Sequence, residues 1–141
     1  MAKAALILIG IIFAANLIGG IYNWYIKYPW FDIPMHILGG AWVALMFGYI
    51  FSKYWKLDKN IHSVFLYVLF ITGCVALIGI FWEFFEFGRD YFVSSYNPSY
   101  VLSTLSDTLG DLLNDLIGGA ISSSFVWMWL RKHAIKETCQ A

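Results

Sequence analysis

Residues 63–87 read SVFLYVLFITGCVALIGIFWEFFEF. No charged side chain occurs from Ser63 to Trp82, and then Glu83 and Glu86 arrive together. A helix needs roughly 20 mostly apolar residues to span a bilayer. This stretch meets that length and carries its two carboxylates near one membrane face. The rest of the chain is read outward from it.

Composition agrees. The 141 residues are 60% hydrophobic and 13% charged, against roughly 25% charged in a soluble domain. Three further apolar segments accompany the first. The expected helices cover about 4–22, 33–51, 63–87 and 107–130, with an outer loop at 88–106. This is an all-α integral membrane bundle of about four transmembrane helices, in one domain spanning 1–141. The first segment follows Lys3 in the manner of a signal peptide, but is read as a retained helix. Pro29 and Pro34 suit the start of the second. The fourth cannot be the uncharged stretch Leu116–Leu130 alone. That stretch would cover roughly 22 Å of a roughly 30 Å hydrocarbon core, so the helix must begin near Ser106 or Asp107. Asp111 and Asp115 then lie at membrane depth. In the loop, Asn97-Pro98 marks a turn, and Tyr91, Phe92, Tyr96 and Tyr100 suggest a segment lying on or over the bundle.

Basic residues set the orientation. Lys3, Lys53, Lys56, Lys59, Arg131, Lys132 and Lys136 fall on one side, and only Lys27 and Arg89 on the other. Both termini are therefore expected to be cytoplasmic, in a multi-pass inner or plasma membrane protein. The outer side collects Asp32, Glu83, Glu86, Asp90, Asp107, Asp111 and Asp115. Charges at membrane depth are costly and normally find partners. Crowded carboxylates need protons, a metal or a cationic ligand.

The spacing of these groups sharpens the expectation. Asp107, Asp111, Asn114 and Gly118 form one stripe at 3.6 residues per turn. Asp115 stands about 80° off that stripe, facing a different neighbour. Glu83 and Glu86 are adjacent on their helix at i, i+3. His36 follows Asp32 by one turn, a spacing that fits an orienting hydrogen bond. Carboxylates, an amide and one imidazole suit Mg²⁺, Mn²⁺, Fe²⁺ or Zn²⁺. Metal ligands are expected among His36, Glu83, Glu86, Asp107 and Asp111. Catalytic roles are expected for Glu83, Glu86 and Asp111, with Asp32, Asn114, Asp115 and Arg89 in support. Plainer roles stand beside these. Asp107 suits a helix N-cap, Arg89 suits a partner for Glu86, and Asp32 and Asp90 suit solvated loop charges. Ser122, Ser123 and Ser124 suit helix packing, and Cys74 and Cys139 have no metal-motif spacing.

Asp32-x-x-x-His36-x-x-Gly39-Gly40, then Trp82-Glu83-x-x-Glu86, then Asp107-Thr108-x-x-Asp111 with Gly118 beyond, resembles the YjdF-like inner-membrane proteins. It resembles the VanZ-like family more loosely, because Asn114 is followed by Gly118 rather than by a glycine three residues on. The resemblance covers the second to fourth helices. It implies the polar site, but no particular reaction.

Three functions follow as expectations. One is a metal-dependent enzyme acting on a lipid or lipid-linked substrate at the outer leaflet. A second is a transporter element for protons or metal cations, which would require a homo-oligomer. A third is a structural or assembly protein. Membrane lipids are expected partners. A formal net charge of zero gives nucleic acid no electrostatic support. No phosphate loop, nucleotide fingerprint or serine-nucleophile motif is present.

Overall fold

The computed structural model describes residues 1–56, 63–96 and 104–138, with side chains to residue 132. Among them there are helices and no strands. The helices are α1 (Ala2–Ile21), the short α2 (Trp24–Lys27), a 3-10 turn (Pro29–Phe31), α3 (Asp32–Trp55), α4 (Val64–Tyr96) and α5 (Leu105–Thr138). Three described segments are long and apolar enough to cross a membrane: α1, the 3-10 turn with α3, and α4. The long α5 carries Asp107, Asp111 and Asp115 in its first half. With the other helices it completes an all-α membrane bundle.

Local chemistry places the helix ends. Asn23, which tolerates the left-handed region better than most residues, sits at φ 56° and turns the chain from α1 into α2. Pro29 opens the 3-10 turn, where its missing N–H costs nothing. Asp32 occupies the first turn of α3, where a carboxylate favours the helix dipole. Lys56 ends α3 at φ 50°, its N–H donating to the Phe51 carbonyl.

Two expectations at helix ends are corrected. The stretch 88–96 is not loop, because α4 continues to Tyr96. Gly88, Arg89 and Asp90 are helical, and aromatic pairs one turn apart line the helix around and beyond them. Phe87 and Tyr91 stack with centroids 6.5 Å apart, and Phe92 and Tyr96 lie 5.1 Å apart. At 1.5 Å per residue α4 is roughly 50 Å long, more than a roughly 30 Å core needs. Asp107 is not the N-cap of α5 either. The Asp107 N–H donates to Thr104 Oγ1 at 3.2 Å. Thr104 is therefore the cap and Asp107 the third residue of the first turn. The Asn97-Pro98 turn, Tyr100, Asp58, Lys59 and Cys139 lie outside the described residues.

The centre of the bundle is the contact of α3 with α5, joined by α4. Here the backbones touch. A Cβ on Gly40 would run into the Asp115 carbonyl, and a Cβ on Gly118 into the Ile37 carbonyl. Ser122 Oγ donates to the Ala41 carbonyl at 3.0 Å along the same seam. Small residues permit such approach, and in a membrane it gives helices their contact area. Towards the Trp55 end of α3 the seam widens into an apolar core of Val43, Ala44, Phe51, Tyr67, Ile71, Val75, Val126, Trp127 and Leu130. Towards the Asp32 end it stays tight and polar. The outlying α1 lies along α3, tied by Trp42 Nε1 donating to the Ala5 carbonyl at 3.0 Å.

Gly118→Leu and Gly40→Val should each prevent this backbone contact. The expected outcome is a loss of about 1–3 kcal/mol or more, the scale of overpacking, seen as lower Tm and aggregation on size exclusion in detergent. Gly10 has nothing within 4 Å of its Cβ position, so Gly10→Ala should stay within about 0.5 kcal/mol of the original.

Candidate functional site

Each helix of the central contact delivers polar groups to the same end. The first turns of α3 supply Asp32 and His36. The later part of α4 supplies Glu83, Glu86, Arg89 and Asp90. The first half of α5 supplies Asp107, Asp111 and Asp115.

His36 is the hub. It is 5% exposed, and Asp111 and Asp115 are 6% and 7% exposed. His36 Nε2 stands 3.6 Å from Asp32 Oδ1 and 3.8 Å from Asp111 Oδ1. On the other side of the ring, Nδ1 stands 3.4 Å from Asp115 Oδ1. Two overlapping triplets, Asp32–His36–Asp111 and His36–Glu83–Glu86, each bring three ligand atoms within 4.8 Å of one another. Glu83 Oε1 is buried without a hydrogen-bond partner. A buried polar atom left unpaired is costly, so this oxygen is a natural place for a proton, a cation or a water.

Beside the histidine opens a cleft of about 320 Å³, lined by Pro29, Asp32, Thr104, Asp107, Asp111 and Asn114 among others. Asp107, Asp111 and Asn114 thus share the face expected of their stripe. Asp111 is buried against His36, whereas Asp107 is exposed and belongs to neither triplet. Gly118, the fourth member of the stripe, packs on Ile37.

Arg89 organises a second group. Its Nη1 stands 3.1 Å from Glu86 Oε1, as the i, i+3 spacing suggests. Its Nε and Nη2 reach Asp90 Oδ1 at 2.9 and 2.8 Å. Asp90 is 4% exposed, so it is not a solvated loop charge. The continuation of α4 past Phe87 makes it a helix residue, held by the neighbouring guanidinium. Asp32 is likewise half-buried at the start of α3 rather than free in a loop.

Two participants escape a reading by spacing. Asp115, set off the stripe, does not face a different neighbour. It reaches the same histidine through the opposite ring nitrogen. The signal for it lies in glycines on other helices, Gly40 and Gly79, which abut Asp115. Tyr25 on α2 is the other. Burial first, then the negative charges of Asp32 and Glu86, push its phenol up to about 12, with Arg89 acting in the opposite sense. That places the Tyr25 hydroxyl, protonated at neutral pH, in the field of the same acids. One Tyr among the several aromatics of residues 22–30 carries no sequence signal of such a role.

Asp90→Asn should weaken the contact with Arg89. Hydrogen bonds to charged groups contribute about 1.5–3 kcal/mol, and the half-exposed guanidinium reduces that. Thermal unfolding in detergent should show a loss of about 1 kcal/mol, while Asp107→Asn, at an exposed position, should stay within about 0.5 kcal/mol.

A family model described as a predicted membrane protein, DUF2238, matches residues 1–132. No curated protein and no solved structure matches the chain. The match runs from Met1, just before α1, into the second half of α5 and includes every residue of the polar end. The chain belongs to the DUF2238 family of predicted membrane proteins.

Proposed function

We propose that this protein binds a divalent metal ion at the polar end of the bundle and uses it on a lipid or lipid-linked substrate. The observation that carries this reading is the set of oxygens around one imidazole. His36 Nε2 lies between Asp32 and Asp111, and the same histidine forms a second triplet with Glu83 and Glu86. One nitrogen with several carboxylate oxygens suits Mn²⁺, Fe²⁺ or Zn²⁺, and Mg²⁺ where the oxygens dominate. Four-helix proteins build metal sites from inward carboxylates and histidine in this way.

An ion held there would polarise a phosphoryl or carbonyl oxygen and acidify a water. The chain's own groups supply the rest. Glu83 Oε1, buried and unpaired, is the base that would take a proton from the attacking water. The cleft beside Asp111 admits a head group, and the exposed Tyr28 and Trp30 beside its Pro29 wall suit the membrane interface. With the positive-inside bias, this end faces outward from a cell membrane. The resemblance to the YjdF-like proteins, and more loosely to the VanZ-like ones, extends the same site to those groups.

Transport ranks second. Below the polar end, Ala44, Tyr67, Ile71, Val75 and Ser123 are 0–1% exposed and fill the centre of the bundle. That packing favours a closed-ended site over a path through one copy, so an ion route would need a homo-oligomer.

Elemental analysis of the full chain purified in detergent tests the proposal, with wild type beside Asp111→Asn and Glu83→Ala. The expected result is about one equivalent of a divalent metal in wild type, with affinity lowered about tenfold or more in both variants. Unchanged metal content in both variants, or none in wild type, overturns it.

A further inference from the structure

We propose that Asp115 is a positioning residue. It holds His36 through Nδ1, so that Nε2 is left to Asp32 and Asp111. This rests on the metal reading above and assigns the one buried acid of the cluster that reading leaves without a task.

The imidazole has two nitrogens, and in the neutral ring one carries the proton while the other offers a lone pair. The partner at one nitrogen decides which atom is free at the other. Here the two sides differ. Nδ1 has Asp115 Oδ1 at 3.4 Å, the shortest of the three carboxylate contacts of the ring. Nε2 has two carboxylates, at 3.6 and 3.8 Å. A proton on Nδ1, donated to Asp115, would leave the Nε2 lone pair for a metal ion held among the ligand oxygens. Histidine ligands of metals commonly donate their second N–H to a carboxylate in this way.

The surroundings of Asp115 fit a fixed orienting group better than a ligand. It is 7% exposed and is not among the residues lining the cleft. Glycines from two helices enclose it. A Cβ on Gly79 would stand 2.8 Å from Oδ2, one on Gly39 would stand 3.8 Å from Oδ1, and one on Gly40 would strike the Asp115 backbone. Oδ2 is thus backed against α4 while Oδ1 meets the ring. The carboxylate has little space to swing towards Asp32 or Asp111.

The two triplets both contain His36. With Nδ1 engaged, both must draw on the same Nε2. They then describe alternative ligand sets for one ion, and the site takes a single ion per chain through histidine.

The test uses the full-length protein in detergent, with zinc as the probe metal. Zinc affinity, Tm in chelator and the ¹⁵N shifts of the His36 ring are measured for wild type, Asp115→Asn and Gly79→Ala. Asn keeps the volume but can present either its oxygen or its NH₂ to the ring, so the proton is no longer fixed. Gly79→Ala keeps the carboxylate and displaces it. Expected in both variants is a loss of zinc affinity of about 10–100-fold, with little change of Tm in chelator. The wild-type ring should show an Nδ1–H form that is depleted in Asp115→Asn. Wild-type zinc affinity in Asp115→Asn, unchanged ring shifts, or a fall in chelator Tm that matches the loss of binding would each overturn the assignment. Wild type that binds zinc nowhere would overturn the metal reading instead. The ring shifts would then still decide whether Asp115 fixes the imidazole.

Discussion

The contact of α3 with α5 through Gly40 and Gly118 is the constraint on which the polar end depends. Neither position has room for a Cβ, because each faces a carbonyl of the other helix. His36 stands one turn before Gly40, and Asp115 and Asp111 stand before Gly118 on α5. Their distances from the imidazole are therefore set by how closely the backbones meet. A side chain at either glycine would part the helices and carry the carboxylates away from the ring. The small residues do more than permit packing. They set the spacing of the site.

The same seam explains why the bundle has two unlike halves. Past Gly118, Ser122 bonds the Ala41 carbonyl, and Val126 and Trp127 meet Phe51 and Tyr67 in an apolar core. Tyr67 and Trp127 lie 5.0 Å apart between ring centroids, and Arg131 covers Trp127 at 4.3 Å. That half supplies packing, which in lipid must replace the hydrophobic effect between helices. Firm packing there allows the other half to hold groups that a bilayer disfavours. Rigid elements hold a site more accurately than loops do, and each buried acid of this one sits on a helix.

Hydropathy made the spanning segments legible, because lipid leaves the backbone few alternatives to helix. The stripe of Asp107, Asp111 and Asn114 followed from helical period alone, and all three line one cleft. The misreadings share a cause, which is that local signals stood in for tertiary ones. The expected loop from Gly88 onward is helical as far as Tyr96, with ring contacts one turn apart on two of its faces. Asp107 resembles a cap, but Thr104, three residues earlier, makes the bond. Asp115 looked misplaced by angle on its own helix. Its target lies on α3, and the angle between two helices cannot be read from the period of one.

Charge balance gives the polar end its chemical character. Arg89 contacts Glu86 and Asp90. Around His36 stand Asp32, Asp111 and Asp115, so one imidazole faces three carboxylates. Even doubly protonated, the ring offers a single positive charge. In a low-dielectric setting such an excess is not tolerated as ionised groups alone. Either protons neutralise the acids or a cation enters between them. Protons would need only the carboxylates, wherever they happened to lie. The arrangement adds carboxylates on both sides of the ring, Asp115 at Nδ1 and Asp32 and Asp111 at Nε2, and a buried glutamate oxygen without a hydrogen-bond partner. Carboxylate oxygens from several helices around one imidazole are what a metal ion would use, and they support the cation proposed above.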